Sequence, residues 1–180
     1  MKRLLCVMLL SGACWTASVE KPRVSRAALQ PMEKSFDRRM QTFSDDPFNL
    51  LGTTRGIYLE GYGVVFTNEI SLAFGPNITP FSQVISDDQK ARLHQKKLAR
   101  VPKLREMMRD MMVAAAASLD TVPAEERVVV GVTLFQFSWE DSSGLPAQII
   151  MQAPRKALLD YQAGRTKLAA LEAAIRTQEL

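Results

Sequence analysis

Cysteine and histidine are almost missing from this sequence. Of 180 residues two are cysteines, Cys6 and Cys14, and His94 is the only histidine. Beyond Cys14 there is therefore no disulfide framework, no cysteine nucleophile and no thiolate metal site. A single histidine cannot build a two- or three-histidine zinc site. Neither a metal nor an organic cofactor is expected. Long apolar runs are lacking too: after the first residues nothing approaches the ~20 continuous apolar residues that span a bilayer. Phosphate-cradling glycine patterns are absent, because in Gly61-Tyr62-Gly63-Val64-Val65-Phe66 the third glycine of G-x-G-x-x-G is replaced by Phe66, and no P-loop or G-x-S-x-G elbow occurs.

Charge excludes one further class of partner. The formal charge of +4 falls to +2 when Lys2 and Arg3 are removed, so nothing points to nucleic acid. Those two residues begin an ordered pattern. Lys2 and Arg3 precede an apolar run from Leu4 to Leu10, followed by the small residues Ser11, Gly12 and Ala13, which is the arrangement of a secretory signal. Residues 1–17 read as that signal, and the mature chain is expected in the periplasm or outside the cell. Cys14 directly follows small residues, as a bacterial lipid anchor requires, but Ser11 stands where an aliphatic residue is usual.

Residues 18–50 combine charges of both signs with Pro22, Pro31 and Pro47, and read as a linker or a short helical arm over Ala27–Met40. Its basic residues, Lys21, Arg23, Arg26, Lys34, Arg38 and Arg39, suit a peripheral hold on an anionic envelope surface or simple solvation. Residues 51–180 read as a single compact domain, for which the length suffices. Thr53–Glu60 and Gly63–Phe74 are strand-forming. In the second segment Phe66, Ile70, Leu72 and Phe74 share one parity, while Thr67, Glu69, Ser71 and Ala73 share the other, predicting one buried and one wet face. Gly75–Pro80 ends it.

Ser86, with Gln89 at the capping-box position, opens a helical stretch. Leu98, Val101, Leu104, Met108, Met111 and Ala115 give its apolar stripe. Pro102 predicts either two helices, from Asp87 to Arg100 and from Pro102 onward, or one kinked helix. Val128–Trp139 and Ala147–Ala153 form a second strand pair around a turn at Glu140–Pro146. Two closing helical segments flank Gly164. The expected architecture is α+β: an antiparallel sheet of two β-hairpins, covered mainly on one face by helices, in β-β-α-β-β-α order.

Gly61 and Gly63 read as hairpin glycines, with Tyr62 exposed at the turn or folded over its edge. Acidic pairs are candidates for acid–base or Ca²⁺ chemistry: Asp45 and Asp46, Glu60 and Glu69, Asp87 and Asp88, Glu125 and Glu126. Among them Glu60 and Glu69, with Tyr62, form the candidate ligand-binding set, because a hairpin can bring both acids to one edge. Tyr58, Tyr62 and Trp139 offer aromatic platforms for a glycan or peptide. The sequence thus predicts an exported non-catalytic envelope-assembly or ligand-interaction module, whose partner is an envelope protein, peptide or glycan. The alternatives are a small carboxylate-based hydrolase or lyase, and a membrane-associated accessory lipoprotein anchored at Cys14.

Overall fold

A computed structural model describes residues 24–43, 46–76 and 84–180. The signal segment, Cys6, Cys14, Lys21, Arg23 and Asp45 lie outside the described residues. The elements are α1 (Arg26–Gln41), β1 (Asn49–Leu59), β2 (Gly63–Ser71), α2 (Asp87–Ser118), β3 (Arg127–Leu134), β4 (Gln148–Pro154), α3 (Arg155–Gln162), α4 (Leu168–Ala174) and β5 (Arg176–Glu179).

Local chemistry explains where the helices begin. Ser25 caps α1 by accepting the Ala28 N–H, and Ser86 and Gln89 form the reciprocal capping box of α2. Leu29, Met32, Phe36 and Met40 recur every three or four residues, so α1 buries one stripe. The Phe36 ring meets Phe66 edge-on at 4.9 Å, which seats the helix against the sheet. Pro102 lies within a single continuous α2. Leu104, Met108, Met111, Met112 and Ala115 are fully buried along it, so its methionines are core residues.

The fold is α+β, with one five-stranded mixed sheet in the order β1-β2-β3-β4-β5. Both hairpin pairings expected from sequence are present, β1 with β2 and β3 with β4. The sheet is not wholly antiparallel, however, because β2 and β3 run parallel from Gly63 opposite Arg127 to Ile70 opposite Leu134. The reason lies in α2. Its 32 residues reach about 48 Å at 1.5 Å per residue, so the crossover carries the chain back to the end where β2 began. The β-β-α-β-β-α order is also incomplete, since α1 precedes it and α4 and β5 follow.

Two strand ends differ from expectation. β2 stops at Ser71, whose hydroxyl donates to the Ala73 carbonyl at 2.8 Å and turns the chain, leaving Ala73 buried and Phe74 exposed. β3 stops at Leu134 instead of Trp139. Beyond it Phe137 stacks on Trp139 at 5.4 Å and meets Phe135 edge-on at 4.9 Å.

Residues opposite one another on paired strands share a face. Val64, Phe66 and Ile70, Val128, Val130 and Val132, and Ile149, Met151 and Ala153 therefore form one side, and all are buried beneath the helices. At about 25 cal/mol per Å² of apolar area removed from water, this side is the main source of stability. The other side carries Ile57, Leu59, Val65, Thr67, Arg127, Val129, Thr133, Ile150 and Gln152. No helix of the described residues packs on it. The β1 edge is closed by α1: Asp37 accepts the Thr54 N–H at 2.8 Å and Glu33 accepts the Gly56 N–H at 2.6 Å, so two outward amides are satisfied within the chain.

Candidate functional site

The Gly-Tyr-Gly turn joins β1 to β2 where β3 begins. A Tyr62 N–H to Leu59 carbonyl bond of 3.0 Å closes it, and Gly61 and Gly63 have φ of 74° and 135°. For Gly63 a second constraint is stronger than its backbone angle. A Cβ built there would lie 2.0 Å from the Arg127 carbonyl oxygen, so only glycine permits the parallel junction. Arg127 in turn donates its backbone N–H to the Tyr62 carbonyl at 2.8 Å.

Glu126 grips the inner side of the same turn. Its Oε1 accepts the Gly61 N–H and the Tyr58 hydroxyl, each at 3.2 Å, while buried Oε2 has no hydrogen-bond partner among the described residues. On the outer side Tyr62 folds over the uncovered sheet face, its hydroxyl 3.4 Å from Gln152 Oε1. Arg127 Nη1 reaches that oxygen at the same distance. Both contacts are long, as expected for solvated side chains at a surface. Register places Gln152 between Val129 and Arg176.

The sequence-derived set Tyr62, Glu60 and Glu69 is not assembled as expected. Glu60 is exposed in the turn, whereas Glu69 lies six residues along β2 from Gly63, about 20 Å away at 3.3 Å per residue. Tyr62 stays near Glu60 and meets Gln152 instead of Glu69. Tyr58 is tied to Glu126, and Trp139 is stacked under Phe137.

The other acids mostly close the structure. Asp46 receives Lys96 and Arg100, each at 2.8 Å; the Lys96 hydrogen bond is the main cause that holds its carboxyl below the ordinary range, with Arg100 adding to it against some desolvation. Asp87 pairs with Lys90 at 3.1 Å in the first turn of α2. For Glu33 burial is the largest influence and favours the neutral acid. The Arg26 and Gly56 hydrogen bonds, with the charges of Arg26 and Arg55, together outweigh it and leave the pKa lowered. Lys97 and Glu140 form an ion pair with side chains only 2% and 4% exposed, which ties the segment after β3 to α2. His94 Nδ1 lies 2.9 Å from the Asp141 carbonyl on the same segment. No group of three or more histidine, cysteine or acidic side chains capable of holding a metal occurs among the described residues.

Sequence reasoning passed over Glu126, Arg127 and Gln152 as partners of the turn. Glu126 is 65 residues from Gly61, and only the parallel β2–β3 pairing brings them together. The one available signal was the adjacent pair Glu125 and Glu126, which says nothing about the turn. Comparison with known proteins gives no match to a family model, to a curated protein or to a solved structure.

Proposed function

We propose that this chain is an exported, non-catalytic binding module whose uncovered sheet face is its contact surface. The observation that carries the reading is Tyr62, which the Glu126-anchored turn holds over that face beside Gln152 and Arg127. An aromatic ring with a polar tip, carried on an anchored turn, suits recognition of a partner that has both apolar and polar surface. Ile57 and Leu59 add exposed apolar area at 55% and 44%, and Thr67 and Thr133 add hydroxyls. The buried environment of Glu126 fits a turn anchor more than an acid–base catalyst, which needs access to substrate.

Export rests on the sequence of residues 1–17, and envelope proteins, peptides and glycans are the partner classes it brings within reach. Intact-mass measurement on cell fractions tests the export part: a product beginning near Ser18 is expected, while a lipid-modified Cys14 supports the accessory lipoprotein. The contact surface is tested by placing a photo-crosslinking residue at Thr67, with exposed Lys103 on α2 as control. Adducts in the native envelope are expected from position 67 and not from 103. Equal yields at both positions, or none at 67, would contradict the reading.

A further inference from the structure

The donor and acceptor chemistry around Tyr62 narrows the ligand class, given the reading of the open face as a binding surface. Gln152 Oε1 is already approached by the Tyr62 hydroxyl and by Arg127, which leaves its amide N–H₂ to serve a ligand. Arg127 lies on one side of Gln152, and the β4–β5 register sets Arg176 on the other. Around Gln152 the two guanidinium groups and the amide N–H₂ are all donors. Arg26, Arg100, Arg105, Arg109 and Arg165 each pair with a carboxylate, while among the described residues Arg38, Arg39, Arg55, Arg92 and Arg155 do not. Arg127 and Arg176 have no such partner among the described residues. At this end of the face Arg127 and Arg176 flank Gln152, while Arg55 on β1 also acts on Glu33 and the acids Glu69 and Glu60 lie on the strand rows and in the turn.

We propose that Arg127 and Gln152 beside Tyr62, with Arg176 next in the row of Gln152, form a subsite for a carboxylate-bearing sugar of an acidic glycan. Guanidinium groups take carboxylates through paired N–H bonds, the glutamine amide donates to a hydroxyl or ring oxygen, and the tyrosine ring covers the apolar side of a sugar. Thr67, Thr133, Gln148 and Gln178 continue the hydrogen-bonding rows across the sheet, as a polymer of hydroxyl-rich rings requires. Glu126 is then a positioning residue: it fixes the turn that carries Tyr62 and does not touch the glycan.

Titration calorimetry of the full mature chain at low salt tests this with polygalacturonate, its fully methyl-esterified form, and phosphatidylglycerol vesicles. The acid polymer is expected to bind, the ester at least about tenfold more weakly, and Arg127→Gln, Arg176→Gln and Tyr62→Ala each to weaken binding several-fold while Lys103→Gln does not. Added salt should weaken the acid polymer's binding. Equal affinity for acid and ester, with Tyr62→Ala still weakening both, would overturn the anion subsite and leave the open-face reading intact. Binding to vesicles with no binding to polygalacturonate would overturn the glycan, as would no binding to any of the three. Those outcomes are separable from failure of the open-face reading, which the crosslink at Thr67 reports independently. Circular dichroism of the variants confirms folding, since all three side chains are at the surface.

Discussion

The two faces of the sheet use the same strands in opposite ways. On the covered face Phe66, Ile70, Val130, Val132, Ile149 and Ala153 are within 1% of full burial, and α2 adds four buried methionines. On the uncovered face Thr67, Arg127 and Thr133 are exposed, and Ile57 is more than half exposed. Strand alternation makes this division possible, but it does not decide what the second face is for. The contrast teaches that stability resides in one layer of side chains, which leaves the other layer free to vary in chemistry without unfolding the domain.

That contrast can be broken at its seam. Gly63→Val places a branched side chain onto the Arg127 backbone at a φ that disfavours it, and is expected to abolish folding or cost more than ~3 kcal/mol, as read by thermal denaturation. Within the covered layer Met108→Ala should cost about 2–5 kcal/mol in denaturant unfolding through lost burial and a cavity. A loss under 1 kcal/mol would mean that the methionine layer is not the core. Glu33→Gln probes the β1 edge by pH. Because its folded pKa is lowered, Glu33 adds stability above the ordinary glutamate range, and that increment disappears as pH falls through the folded value. The glutamine variant should be less stable at neutral pH, and its difference from the parent should shrink with acid; a pH-independent difference would contradict the ion-pair account. The smallest effect belongs to the open layer, where Ile57→Ser should change stability by less than about 0.5 kcal/mol.

Much of the covered layer was legible in the sequence. Phe66, Ile70 and Leu72 on one parity, the stripe from Leu104 to Ala115 and the capping residues Ser86 and Gln89 lie where local spacing puts them. Against that parity Ser71 and Ala73 are buried and Phe74 is exposed, and Leu98 in the helix stripe is only half-buried. What escaped was set by long-range pairing. Nothing local distinguishes a β3 that runs parallel to β2 from one that runs antiparallel, and the polar run Arg176–Glu179 carries no alternation to announce β5. The candidate site suffered most. Gly61 and Gly63 were readable as turn glycines, but the reason Gly63 admits no side chain is the Arg127 backbone, and the partner of Tyr62 is Gln152, ninety residues away. The pairing of Glu60 with Glu69 assumed a short hairpin edge, and a nine-residue β2 separates them.

Hydroxyl-radical footprinting compares the two regions without changing a residue. Oxidation of Tyr62 and Leu59 on the proposed surface is measured in the purified chain and in its native envelope, against exposed Phe74 and Phe137 as internal references. Protection of Tyr62 and Leu59 in the envelope, with Phe74 and Phe137 unchanged, is the result expected of a contact surface on the uncovered face. Protection of Phe74 and Phe137 instead, with Tyr62 as reactive as in the purified chain, would contradict it.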